Sequence, residues 1–149
     1  MSSDSSLVDV VMISPYRTIP RNHKIDTITI HCMAGDFSVE TCGNIFQRKG
    51  RNASSNYGIG SDGRVGLYCP EADRSWCSSN RANDHRAITI EVASGTKHPY
   101  TVTAAAYEAL INLLVDICKR NGIARLNYTG DKSGNLTMHK WFSNTLCPG

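Results

Sequence analysis

The chain has 149 residues, 40% of them hydrophobic and 19% charged, a balance that builds a folded domain and excludes a disordered chain. It contains no run of about 18 apolar residues, so a helical membrane span and membrane insertion are excluded. A formal charge of +3, from 16 basic and 13 acidic residues, is too small to require nucleic acid as partner, though it suits a polyanionic surface.

The start, Met1 to Ser6, reads MSSDSS and has no basic n-region, and the apolar run after it is broken by Asp9. No secretory signal is present, so synthesis in the cytoplasm is expected. In that reducing compartment Cys32, Cys42, Cys69, Cys77, Cys118 and Cys147 read as core thiols or metal ligands. Without a CxxC pair, a four-cysteine structural zinc site is not expected. Cys69 and Cys77 flank a short excursion and could pair if oxidised; the reduced form is the expectation.

Leu7 to Ile13 is apolar and β-branched and predicts a strand stopped by Pro15. Asp26 to Cys32 alternates, with Thr27, Thr29 and His31 on one face and Ile28, Ile30 and Cys32 on the other. Ser38 caps a predicted helix Val39 to Arg48. Ser54 to Ile59 and Arg64 to Tyr68 flank Ser61-Asp62-Gly63, a hairpin signal. Ala87 to Val92 reads as another strand. Thr101 or Thr103 caps the longest helix, which runs to about Arg120 and is closed by Asn121-Gly122. Its predicted apolar face is Tyr107, Leu110, Ile111, Leu114, Ile117 and Cys118. A short helix is expected near Thr137. Strands alternating with helices predict an α/β domain with a central mixed β-sheet. Residues 1–149 read as one unit, and its ending on Cys147-Pro148-Gly149 fits a fragment lacking a C-terminal domain.

Several residues can carry chemistry. His31, near a strand end on the threonine face, either projects into a cleft or is hydrogen-bonded on that polar face. His139 and Cys147 lie eight residues apart, a spacing that lets a loop bring both to one point. Glu91 interrupts an apolar strand, where glutamate is depleted. It either points to solvent or serves as a carboxylate on the sheet face of His31. Trp76 and Trp141 could stack on a sugar, with core packing ahead for Trp141. Asn80, Asn83 and Arg86 form a polar stretch that either lines a groove or is a solvated loop. His23 and His98 read as solvated. Cys32, Cys42 and Cys118 read as core, Cys32 on the isoleucine face away from His31.

The order ITIHCMAG, ASSNYGIGSDGRVGLY, RAITIEVAS and MHKWFSNTLCPG resembles the type 2 N-acetylmuramoyl-L-alanine amidases. That family includes many phage and prophage endolysins, and peptidoglycan recognition proteins share its fold. The resemblance spans about Ile25 to Gly149 and is nearest to endolysins of clostridia-like hosts. It implies a Zn²⁺ enzyme that cuts the amide between the lactyl group of muramic acid and L-alanine of the stem peptide. His31, His139 and Cys147 match the zinc ligands, Cys147 standing where many relatives have aspartate. Glu91 matches the catalytic glutamate, accepting a proton from water and passing it to the leaving nitrogen. Thr145 stands where many relatives carry lysine, and its hydroxyl could assist the oxyanion. Asn56 occupies the position of a usual histidine and Tyr57 the aromatic position beside it. Asn56, Tyr57, Trp76, Asn83 and His85 are the expected substrate contacts. The resemblance further implies release to the wall without a signal peptide, and peptidoglycan as partner. A non-catalytic wall-binding module and a zinc peptidase acting within the stem peptide are the alternatives.

Overall fold

The computed structural model describes residues 4–149, so the first three residues of the Met1 to Ser6 start lie outside the described residues. In chain order the elements are β1 (Val10–Val11), β2 (Arg17–Thr18), β3 (Thr27–Cys32), α1 (Val39–Gln47), β4 (Tyr57–Ile59), β5 (Val65–Leu67), β6 (Arg74–Ser75), α2 (Arg81–Arg86), β7 (Ala87–Val92), α3 (Ala104–Asn121) and β8 (Leu136–Met138), followed by a 3-10 turn at His139–Trp141. Six strands form one sheet in the order β1-β5-β4-β7-β3-β8; β2 and β6 pair separately. β4 and β5 are antiparallel, as the hairpin signal requires, and the other neighbours in the six-stranded sheet are parallel.

The central pair, β3 and β7, is rich in β-branched residues and runs in register from Thr27↔Ala87 to Cys32↔Val92. That register sorts the sheet into two faces. One carries Ile28, Ile88, Ile90, Tyr57 and Ile59, fully buried with Leu113 and Ile117 of α3. The other carries Thr29, His31, Thr89 and Glu91. Its buried hydroxyls are paired: Thr29 with Thr137 at 2.9 Å and Thr89 with Ser75 at 2.7 Å. Glycine is needed at Gly58 and Gly66, partners across β4 and β5, because the Tyr68 ring occupies the space where either Cβ would stand. The Tyr68 hydroxyl donates to Val39 O at 2.7 Å and so ties α1 to this face.

Four expectations change. The first strand shrinks to Val10–Val11, although the Asp9, Met12 and Ser14 N–H groups still donate to Val65, Leu67 and Tyr68 carbonyls. The helix expected near Thr137 is β8 and then the 3-10 turn, because Thr137 pairs in register with Thr29. The buried stripe of α3 is rotated. Ala106, Leu113 and Ile117 face the sheet, Leu110, Leu114 and Cys118 flank them, and Tyr107 and Ile111 are 58% and 41% exposed. The polar stretch at 81–86 is helical, started by Asn80, whose side chain accepts from Asn83 N–H at 2.9 Å.

Candidate functional site

His31 and Glu91, the penultimate residues of β3 and β7, are direct register partners, so both side chains leave the threonine face together. β8, on the other flank of β3, delivers His139 at the start of the 3-10 turn, with the His31 and His139 ring centroids 4.4 Å apart. The terminal loop returns Cys147, whose Sγ accepts from the Cys32 N–H at 2.9 Å. Two bonds fix that return: Lys140 N–H to Cys147 O at 2.9 Å and Cys147 N–H to Thr145 Oγ1 at 3.2 Å. Ligand atoms of His31, His139 and Cys147 lie within 4.8 Å of one another.

These donors fit a divalent metal. Among the described residues His31 Nδ1, which is buried, has no hydrogen-bond partner, a state that costs about 1–3 kcal/mol unless something else satisfies the nitrogen. Its Nε2 pairs with Ser78 Oγ at 3.3 Å, and His139 Nε2 pairs with Ser143 Oγ at 3.0 Å, leaving Nδ1 of each ring as the ligating atom. Burial lowers both imidazole pKa values, that of His31 strongly and with help from His139, so both are neutral at pH 7, the form that ligates. Two imidazoles and a thiolate are a common zinc donor set that leaves room for water or substrate. Cys147 Sγ also donates to Cys32 O at 3.7 Å; the Cys147 side chain brings the Cys32 thiol down to about 7, while Cys32 and burial push the Cys147 thiol up. A coordinated sulfur loses its proton outright, so metal binding at Cys147 would displace it.

Glu91 Oε2 lies 4.0 Å from His31 Nδ1 and its side chain is 16% exposed. Burial, reinforced by Cys32 and opposed by Arg51, raises its pKa to about 8, close to working pH for a proton acceptor.

A second layer orients these groups. The segment Cys77-Ser78 is fastened by the buried Asp84 carboxylate, which accepts the Cys77 N–H at 3.1 Å and the Ser78 N–H at 3.1 and 3.2 Å. Burial nevertheless raises the Asp84 pKa. The Asn83 amide donates to Thr29 Oγ1 at 2.9 Å and Ser78 Oγ at 3.3 Å, so Ser78 Oγ is held where His31 Nε2–H can reach it. Sequence reasoning missed Ser78 and Asp84. No local pattern marks them, since their partners are 47 and 6 residues away.

The expected substrate contacts divide. Asn56 and Tyr57 are fully buried. The Asn56 amide donates to Cys69 O and Pro70 O, and its oxygen accepts from Thr89 N–H. Tyr57 is on the α3 face, where its hydroxyl donates to Glu71 and accepts from Ser5 N–H. Strand alternation turns Tyr57 away from the His31 face, and neither residue offers an atom to a substrate. His85 is also buried, its Nδ1 accepting from Asn22 N–H at 3.0 Å. Trp76 Nε1 donates to Thr18 Oγ1, and the indole lines a hollow of about 340 Å³ beside Cys77 and Arg81. Asn80, Asn83 and Arg86 form one wall of a cleft of about 720 Å³ that Thr137, Lys132 and Phe142 face from the other elements. Trp141 packs against Tyr128, ring centroids 5.6 Å apart. Thr145 uses its oxygen to hold Cys147 N–H. Cys32 departs from its expected place: at the strand end it is half-buried and touches Cys147, so it belongs to the site. All six cysteines are free thiols.

The fold recurs in solved structures. An N-acetylmuramoyl-L-alanine amidase, LysC from Clostridium intestinale URNW, matches with a TM-score of 0.70 at 20% identity over 95% of this chain and 89% of that one. A mutant endolysin from Bacillus subtilis matches with a TM-score of 0.71 at 16% identity, over 95% and 90%. The Ph2119 endolysin from a Thermus scotoductus MAT2119 bacteriophage matches with a TM-score of 0.66 at 22% identity, over 89% and 82%. No curated protein sequence matches the chain. Residues 21–149, which include His31, Glu91, His139 and Cys147, match the family described as N-acetylmuramoyl-L-alanine amidase, and the chain belongs to that family.

Proposed function

We propose that this chain is a zinc-dependent N-acetylmuramoyl-L-alanine amidase that releases L-alanine-ended stem peptides from the muramic acid of peptidoglycan. One observation carries the reading: His31 and Glu91 are side-by-side partners on a polar sheet face, with His139 and Cys147 converging on His31. When bound, zinc polarises the scissile carbonyl and acidifies water. His31 and His139 hold it as neutral imidazoles and Cys147 as a thiolate. Ser78 keeps His31 in the tautomer with Nδ1 free.

Glu91 accepts the proton of the attacking water and delivers it to the L-alanine nitrogen as the amide bond breaks. Its raised pKa suits both halves of that transfer. The Thr145 hydroxyl donates to the oxyanion that develops on the carbonyl. The cleft beside Asn80, Asn83 and Arg86 receives the muropeptide, with Trp76 at a neighbouring hollow. Names borne by fold neighbours, endolysins of Bacillus and Clostridium among them, support a lytic role on bacterial walls, with a clostridia-like host as the proposed target.

Digestion of purified walls tests the reading. New N-terminal alanine, abolished by a chelator and restored by zinc, is the expected result. A different new amine would make the protein a stem-peptide peptidase, and binding without release would make it a wall-binding module.

A further inference from the structure

Cys77 has no part in the reaction above. Its thiol nevertheless rests against the Glu91 carboxylate, Sγ to Oε2 3.8 Å. With His31 the two form another group of donors whose ligand atoms all lie within 4.8 Å of one another. Thiol, imidazole and carboxylate together suit a thiophilic, borderline divalent cation. His31 Nδ1, buried and without a hydrogen-bond partner among the described residues, lies 4.0 Å from Glu91 Oε2.

We propose that Cys77 and Glu91 form a second, inhibitory position for a thiophilic divalent cation, adjoining the catalytic position at His31. The proposal rests on the reading that His31, His139 and Cys147 hold the catalytic ion.

Ser78 occupies Nε2 of His31, so the catalytic ion takes the one remaining ring nitrogen. An ion held by His31, His139 and Cys147 leaves Cys77 and Glu91 to a second ion. Two protein donors bind more weakly than three, so the second position fills only at excess metal. Binding there moves the Cys77 proton to solvent, forms a metal–sulfur bond and changes no oxidation state. It also ties up Glu91, which can then accept no proton from water, and hydrolysis stops. Cys77 is not on a free loop: its N–H and that of Ser78 are both fastened to Asp84.

The test titrates metal-free protein with zinc while following release of N-terminal alanine from walls. A parallel titration with cadmium follows thiolate-to-metal charge-transfer absorbance. For the unaltered chain, activity should rise to one equivalent of zinc and fall with more, and cadmium should bind in two steps. Cys77→Ser should keep the rising limb, need about tenfold more zinc or beyond for the falling limb, and lose the second cadmium step. Cys77→Ala should match it, which ties the effect to the thiol. A single cadmium step with no falling limb overturns the proposal. So does a falling limb with a second step that both persist in Cys77→Ser. Should zinc never activate the enzyme while the second cadmium step still depends on Cys77, the amidase reading fails and the second cation position stands.

Discussion

His31 and Glu91 are aligned Cα partners across the parallel pair β3 and β7, and their facing atoms, Nδ1 and Oε2, are 4.0 Å apart. Backbone hydrogen bonds of the sheet, rather than flexible loops, therefore set the spacing between a candidate metal ligand and a candidate base. Sites built on strands hold their geometry closely.

Glu91→Gln keeps the shape of the side chain and removes its basicity. Release of N-terminal alanine should fall by about 10²–10⁴-fold, the usual range for a lost general base, with zinc content unchanged. Turnover near that of the unaltered chain would mean that another group takes the proton.

Cys147→Ser replaces a good zinc donor by a poor one at the position that Cys32 N–H holds. Zinc affinity should drop by more than about 100-fold, beyond the loss expected for an outer partner, and activity should follow it. Metal analysis after dialysis decides this, and full occupancy would remove Cys147 from the site.

Ser78→Ala deletes the hydroxyl that meets His31 Nε2 and accepts from the Asn83 amide. Zinc should bind about 10-fold more weakly, measured by competition with a chromogenic chelator, and the metal-free protein should lose about 1–3 kcal/mol of stability because the buried His31 Nε2 loses its partner. An unchanged zinc affinity would show that His31 needs no such support.

Tyr57→Phe tests the reassignment of Tyr57 from substrate contact to core. The hydroxyl bridges Ser5 N–H and the buried Glu71, which Arg120 also meets at 2.7 Å. Its removal should lower stability by about 1–2 kcal/mol in urea denaturation and leave KM unaltered. A raised KM at unchanged stability would return Tyr57 to the groove.

The metal-free protein should lose stability as pH rises through the window set by Glu91. Burial lifts its carboxyl from 4.5 to about 8, so within that range the folded chain holds a proton that the unfolded chain has released. The stabilising contribution is complete below the lower value, declines as pH rises, and is gone above the upper one. Glu91→Gln should flatten this part of the profile. An identical pH slope in both proteins would show that Glu91 ionises normally in the fold.

Local patterns made much of this architecture legible. The period-2 alternation of TITIHC and AITIEV marks two strands and sorts Thr29, His31, Thr89 and Glu91 from the isoleucines, because alternate side chains on a strand must face opposite ways. Ser38, Thr103 and Gly122 mark helix ends by local capping chemistry. The candidate metal ligands were legible through the order of four motifs. Other features depend on contacts between distant segments. Strand order brings His139 and Cys147 to His31. The exposed Tyr107 and Ile111 show that helical spacing defines a stripe but not which flank of it meets the sheet. Tertiary packing also turned Tyr57 into a core residue and moved Cys32 into the site. It set Cys77 and Ser78, fastened by Asp84, against Glu91 and His31. Alternation and capping act within a few residues, whereas these placements follow from which strands pair and how the loops between them run.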